Sequence, residues 1–387
     1  MSWPKLKLES LAAKEPYSFV GGPFGSKLTT RDYVESGIPV IRGSNMNNGR
    51  YLDMTDFVFV TESKVREDLS SNLAKPGDLV FTQRGTLGQV AIIPSDGIAD
   101  RYVVSQSQMK LTVDEDKADR LFLYYFFSSR EATERIVSFV SSSGVPHINL
   151  TVLRNFEVPV PPPENQRNIA RVLSTYDDLI ENNRRRIQLL EQAARLLYKE
   201  WFVHLRFPGH EHTPIIDGVP EGWGKKSLGA VAPLKYGKSL KNDDRVPGPF
   251  PVYGSSGIVG THTKPLVSGP TVIVGRKGNV GSVYWSTEDC HPIDTVYYID
   301  SARCSFFLYY ALQQMTFIST DVAVPGLNRN FAHSRSLLVA EQKILRLFEE
   351  TASPLHQQME LLKRQNASLA KARDLLLPKL MNGEVTV

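Results

Sequence analysis

Cysteine is almost missing from this 387-residue chain: it has two, Cys290 and Cys304. Two so placed give neither a disulfide framework nor a zinc-ligand spacing, and they suit packing roles in a reducing cytoplasm. No run of about 18 apolar residues occurs, which excludes an ordinary membrane-spanning helix. The opening MSWPKLKLES lacks the apolar core of a secretory signal. The phosphate-binding pattern G-x-x-x-x-G-K-[ST] is absent. GSSGIVG (Gly254–Gly260) has the glycines without the Lys-Ser/Thr and reads as a turn, and GGPFG (Gly21–Gly25) reads as a loop. There is no G-x-S-x-G elbow and no informative pair of carboxylates. Asp78 and Asp294 read as turn residues. His204, His210 and His212 lie in a Pro/Gly-rich stretch without cysteines or acid clusters, so no metal site is expected. The Asp/Asn-Pro-Pro-aromatic tetrapeptide of amino-methyltransferases is also absent, and PPPENQ does not replace it. No catalytic residue, metal or cofactor is expected in this chain.

What is present is ordinary in composition and unusual in order. Apolar residues make up 41% and charged residues 22%, as in globular proteins, and the length suits two or three domains. A net charge of +4 points weakly to a polyanionic partner. The chain then repeats itself. GDLVFTQRGTLGQVAII (Gly77–Ile93) matches PTVIVGRKGNVGSVYW (Pro270–Trp285), aligning Arg84-Gly85 with Lys277-Gly278 and Gly88 with Gly281. Phe122-Leu123-Tyr124-Tyr125 matches Phe307-Leu308-Tyr309-Tyr310, and SGVPHINL matches VAVPGLNR. ENQRNIARVL matches AEQKILRLF; weaker echoes join GIPVIRG to PFPVYGS and Trp3 to Trp223. Matches in one order predict a duplicated unit, each copy a mixed α/β (α+β) globular domain followed by a long helix.

The two helices carry heptads. In the first, Ile169, Tyr176, Asn183, Leu190 and Leu197 recur every seven residues, with Leu173, Ile180, Ile187, Ala194 and Trp201 between them. In the second, Phe348, Leu355, Leu362, Leu369 and Leu376 alternate with Leu345, Ala352, Met359, Asn366 and Arg373. Each seam includes one asparagine, which costs stability and restricts register. A helix of roughly 37 residues is about 55 Å long. Two such stripes most simply bury each other. The connectivity favours an antiparallel pair, because the second domain lies between the end of one helix and the start of the next. The boundaries read as a first domain over 1–163, a helix over 164–204, a linker over 205–222, a second domain over 223–340 and a helix over 341–382.

Reading DNA needs hydrogen-bonding side chains on loops and cations for phosphates. The first half offers Arg42, Asn45, Asn47, Arg50, Gln83, Arg84 and Gln106; the second offers Lys238, Ser255, Arg276, Lys277, Asn279 and Arg329. Any one of these also fits a solvated loop; their clustering with glycine in corresponding loops of both halves raises the case.

The same stretches, with VPEGWGKKSLG opening the second half and LLLPKLMNGEV closing it, resemble the specificity (S) subunit of type I restriction–modification enzymes across essentially the whole chain. That resemblance implies two target recognition domains joined by two long antiparallel coiled-coil helices as a pseudo-two-fold repeat. It implies a bipartite site in double-stranded DNA with one half-site per domain, and a spacer set by the helices. It further implies docking of two modification subunits, which carry S-adenosylmethionine and methylate adenine, and through them of restriction subunits, which use ATP and Mg. The chain itself would be non-catalytic and cytoplasmic. A helix-linked scaffold for protein partners is the alternative. The chain departs from the pattern at Ser336–Val339, which stands where prolines lead into the first helix, leaving the second helix start near Glu341 less sharply specified. The two domains differ widely outside the shared framework, so the two half-sites should differ.

Overall fold

A computed structural model describes residues 3–46, 49–139, 146–317 and 326–387. Two compact units emerge: Met1–Asn183 with Arg364–Val387, and Arg184–Lys363.

The first unit is built on two four-stranded sheets. One has the order Phe19–Gly21, Gln108–Leu111, Leu79–Thr82, Val90–Ile92, with every neighbour antiparallel. The other runs Val58–Val60, Ile38–Ile41, Tyr102–Val104, Leu73–Ala74, with a parallel pair at its centre. The short apolar runs LVFT and VAI are buried on both faces, as their lack of polar alternation requires. Helix Arg120–Ser128, capped by Asp119, buries Phe122–Phe127 against the first sheet's core. Lys5–Lys7 pairs with Glu157–Pro159.

The second unit repeats this plan. Its four-stranded sheet runs Lys235–Tyr236, Val296–Ile299, Thr271–Gly275, Val283–Ser286, again antiparallel. Phe250–Gly254 takes a parallel neighbour, His291–Pro292, as its counterpart Ile38–Ile41 does. Gly224–Ser227 pairs with Ser336–Val339. The repeat extends to single hydrogen bonds. The amides of Gln83 and Arg84 both donate to Ser107 O, and those of Arg276 and Lys277 both donate to Thr295 O. Ile148 N–H donates to Gln83 O, and Leu327 N–H to Arg276 O. Arg84 bridges His147 as Lys277 bridges Gly326. Asn149 and Asn328 each cap a short helix. Gly85 and Gly88, with their equivalents Gly278 and Gly281, all hold positive φ, which explains why both turns spend two glycines.

The long helices span Pro163–Tyr198 and Gln342–Met381. Within the first unit Asn183 Nδ2 donates to Asn366 Oδ1 (2.9 Å), Asn366 Nδ2 donates to Ile180 O (3.2 Å), and Arg373 pairs with Asp177. Rising numbers on one helix meet falling numbers on the other, so the pair is antiparallel. The two seam asparagines satisfy each other, which is how a polar residue survives there. Within the second unit, Phe348 lies against the rings of Tyr198, Trp201 and Phe202, at 6.2, 5.7 and 5.0 Å between centroids.

Ile169, Leu173, Ile180, Asn183, Met359 and Leu362 are buried, and Tyr176, Ile187, Leu190, Leu197, Leu355, Asn366 and Leu369 are half-buried. At the ends of the second helix the heptad reading needs correction. Ile344, Leu377 and Leu380 are the deeply buried residues, while Leu345 and Leu376 are half-buried. A straight helix drifts about 20° per heptad from a 3.5-residue repeat. The ends are also embedded in globular cores, with Leu377, Leu380 and Met381 beside Ile169, Ala170 and Leu173 in the first. Each helix is therefore shared, its halves belonging to different units, whereas the sequence reading set 164–204 and 341–382 apart from the domains.

Two further expectations change. The stretch 205–222 is no loose linker: Phe207 is buried with its ring 4.7 Å from Trp223, within the second unit's core. And Ser336–Val339 does not replace the prolines. It is a strand equivalent to Glu157–Pro159. Between strand and helix the first joint has Val160-Pro161-Pro162, the second only Ala340-Glu341. Side chains anchor both. Gln166, fully buried, accepts from Asp119 N and donates to Pro161 O; Glu349 accepts from Phe306 N and Phe307 N.

One core feature makes stability depend on pH. His356 stacks on Phe306 (3.9 Å) between Tyr309, Tyr310 and Trp285, and its Nε2 is hydrogen-bonded to Tyr310 Oη at 2.7 Å. Burial, aided by Lys363, pushes its pKa down to about 4. A depressed histidine gives full stability above its unfolded pKa of about 6.5 and loses it as pH falls toward the folded value. The second unit should lose on the order of 3 kcal/mol between pH 7 and pH 4 from this group. Denaturant unfolding followed at both pH values checks this, and His356→Gln should flatten that part of the profile.

Candidate nucleic-acid interface

In an antiparallel sheet, alternate strand ends and starts meet at one edge. At one end of the first unit's four-stranded sheet, the chain leaves Phe19–Gly21 and Leu79–Thr82 and enters Val90–Ile92 and Gln108–Leu111. The turn 83–89, the loop after Gly21 and the segment Ser105–Ser107 therefore meet there, stitched by Gly22 N–H to Gln108 O (2.9 Å) and Gln83 N–H to Ser107 O (2.7 Å). The same end of the second unit's sheet gathers Tyr236–Lys238, the turn 276–281 and Thr295, stitched by Gly237 N–H to Val296 O (3.1 Å).

On the second unit this end is cationic and aromatic. Tyr236 is 47% exposed, and two guanidiniums lie over its ring, Arg276 at 5.0 Å and Arg329 at 4.9 Å. Arg276 Nη1 donates to the backbone Asp294 O (3.1 Å), so Asp294 serves through its carbonyl. Neither arginine has a carboxylate partner among the described residues. Arginines held over a ring and unneutralised keep donors for an anion or a base edge. Behind them Tyr297 Oη donates to Leu327 O (2.7 Å); burial pushes this phenol up to about 12, keeping it a neutral donor. Lys277, Asn279 and Lys238 are exposed. Ser255 borders the same turn, its Oγ 3.2 Å from where a Gly278 Cβ would sit, and its carbonyl accepts from Ser282 Oγ (2.6 Å) and Tyr284 Oη (3.1 Å). The six second-half residues chosen from sequence thus gather around one sheet end.

The first-half residues divide. Arg84 is exposed on the turn. Gln83 is buried beside it. Gln106 lies at the same end, but its Nε2 is spent on Gly25 O (2.6 Å) and Leu28 O (3.3 Å). Three others need correction. Asn45 is fully buried: its Oδ1 accepts from Arg42 N and its Nδ2 donates to Asp53 O and Thr55 O. Arg42 pairs with Asp56 at 3.3 Å. Arg50, its side chain 11% exposed, pairs with Asp178 and lies 4.7 Å over Tyr51. Arg42 and Asn45 hold their loop together and Arg50 ties it to the first long helix, rather than presenting donors outward. Asn47 lies outside the described residues. Asp78, fully buried, pairs with Lys110 at 3.3 Å and accepts from Thr112 Oγ1. The sequence reading passed over Tyr236, whose exposed ring lies at this sheet end. The lysine–aromatic–glycine–lysine run KYGK at Lys235–Lys238 was the available signal for Tyr236.

The duplicated sheet end fits a known family. The model described as the type I restriction modification DNA specificity domain matches residues 24–192 and again 220–331. The chain belongs to that family. The MjaIX specificity subunit of Methanocaldococcus jannaschii is 24% identical over 391 residues, covering 92% of this chain and 89% of that one. The HindI specificity subunit of Haemophilus influenzae is 23% identical over 402 residues, covering 80% and 87%. The solved S subunit from M. genitalium shares the fold, with a TM-score of 0.57 at 19% identity over 98% of this chain and 96% of that one. The protein is thus a type I specificity subunit, a non-catalytic recognition subunit of a restriction–modification system. No helix among its described residues is long and apolar enough to cross a membrane.

Proposed function

We propose that each unit of this specificity subunit reads one half of a bipartite, asymmetric site in double-stranded DNA through the end of its four-stranded sheet. The observation that carries this is the repeated sheet end with unrepeated side chains. Arg84, His147 and Phe24 occupy one copy, and Lys277, Gly326 and Ser239 the matching positions of the other. A shared frame with different readers suits two different half-sites. The long helices set the spacer and dock two adenine-methylating modification subunits, and through them restriction subunits. S-adenosylmethionine, ATP and Mg belong to those partners. The setting is the cytoplasm, where the DNA substrate is.

The test is co-expression with the modification subunit and a map of methylated bases in the host genome. A bipartite methyladenine motif that depends on this chain is expected; a genome unchanged by the chain would reject the reading. Two variants refine it. Lys277→Ala, removing a phosphate contact, should weaken binding to all sequences and reduce the salt slope by about 1. Arg329→Ala should relax only the second half-site, by about 1–3 kcal/mol at one base pair. Equal relaxation of both half-sites would argue against one reader per unit.

A further inference from the structure

Phe24 is 77% exposed, more than any other large apolar side chain among the described residues. An exposed phenylalanine on a slack loop would be unremarked, but this loop is clamped. Pro23 before it and Leu28 after it are buried. Gly22 is pressed so closely on the neighbouring segment that a Cβ there would sit 1.8 Å from Ser105 O. Its amide is held by Gln108 O, while Gln106 Nε2 grips Gly25 O and Leu28 O from the other side. Gly25 takes φ +64°, turning the chain sharply just after the ring. These contacts fix the loop backbone and leave the ring outward.

The second unit repeats the clamp without the ring. Gly237 matches Gly22: its amide donates to Val296 O, and a Cβ there would sit 2.1 Å from Ile293 O. The next three residues are Lys238-Ser239-Leu240, in place of Pro23-Phe24-Gly25. The ring is thus an addition to one copy of a shared frame. It sits at the sheet end that carries Arg84, with exposed Lys27 three residues on.

Resting on the reading that this sheet end faces DNA, we propose that Phe24 is a base-stacking wedge that opens or caps one base step in the half-site read by the first unit. A flat apolar ring on a sheet end that also carries cations matches the demands of that contact. The cations hold the phosphates while the ring takes the face of an unstacked base. This gives the first unit a means of discrimination that the second lacks, favouring the step easiest to unstack.

The experiment uses the full chain assembled with its modification subunits and duplexes carrying the methylation-mapped site, with 2-aminopurine placed singly along the first half-site. Wild type should brighten the probe at one position. Phe24→Ala should leave that position dark and weaken binding about 10- to 100-fold, with an unchanged salt slope because no charge is lost. Phe24→Trp should restore both. Thermal unfolding should match wild type, since the ring contributes little to the core. Identical affinity and probe profile for Phe24→Ala would overturn the wedge while leaving the DNA-reading function intact. Loss of modification-subunit assembly with unchanged DNA unstacking would also overturn it, marking the ring as a protein contact. Wild type with no preference for the half-site would sink both readings.

Discussion

Replacing Asp177 by alanine should lower the melting temperature of the first unit by roughly 10–30 °C. Asp177 lies on the first long helix with its side chain 10% exposed, and it serves two partners. Tyr125 Oη donates to its Oδ2 at 2.6 Å, and Arg373 of the second long helix donates to its Oδ1 at 2.5 Å. Burial and the adjacent carboxylate push the Tyr125 phenol above its ordinary pKa, so it stays a neutral donor. Alanine leaves both donors without their acceptor. Breaking a buried pair by removing one partner costs about 3–5 kcal/mol. Arg373 keeps Asp374 at 2.8 Å, but that carboxylate is mostly exposed and returns little. The orphaned phenol adds about 1–3 kcal/mol. For a unit of this size each kcal/mol is worth about 2–4 °C. Asp177→Asn keeps an acceptor for Tyr125 and should lose about half as much. Calorimetry on both variants checks the ordering; a tyrosine-bonded asparagine as damaging as alanine would mean that charge, not hydrogen bonding, dominates.

Lengthening both long helices together should move the DNA spacer without touching the half-sites. The antiparallel pair is registered by Asn183 against Asn366. Duplicating 184–190 in one helix and 359–365 in the other adds facing heptads and leaves that bond in place. Seven residues add about 10.5 Å. At 3.4 Å per base pair this is about three base pairs. The methylation map should show the same two half-sites with about three more base pairs between them, and the original sites should go unmethylated. Altered half-site bases would show that the helices do more than set distance. Duplicating one helix segment alone should instead destabilise the protein, because apolar seam positions then lose their facing partners.

Much of this architecture was legible because duplication makes a sequence comment on itself. The aligned Arg84-Gly85 and Lys277-Gly278 occupy equivalent turns, and Asn149 and Asn328 are equivalent caps. Heptads exposed the seam because periodicity survives without knowledge of the partner. Val145, Val324 and Pro325, aligned in the same comparison, lie outside the described residues. The interface was less legible. Asn45, Arg42 and Arg50 have the composition of a DNA-reading loop, yet their hydrogen bonds close on their own loop and on Asp178. Composition says what a side chain can bond, not which way it faces. Phe24 erred in the other direction: a lone apolar residue between glycines has no period to mark it, and only its exposure sets it apart. Phe207 was hidden in the same way inside a Pro/Gly-rich stretch.

The sharing of the second long helix has a consequence for synthesis. Leu377, Leu380 and Met381 belong to the core that also holds Ile169 and Leu173. A ribosome that has finished residue 183 must add the whole of 184–363 before it reaches the segment that completes the first unit. At about 5–20 residues per second, that interval is on the order of 10–40 s. During it the nascent chain carries an unfilled apolar groove on its first helix, while the second unit, contiguous in sequence, can close as it emerges. The later-made unit is therefore the first able to finish, and the gap exposes a sticky surface that a chaperone would have to cover.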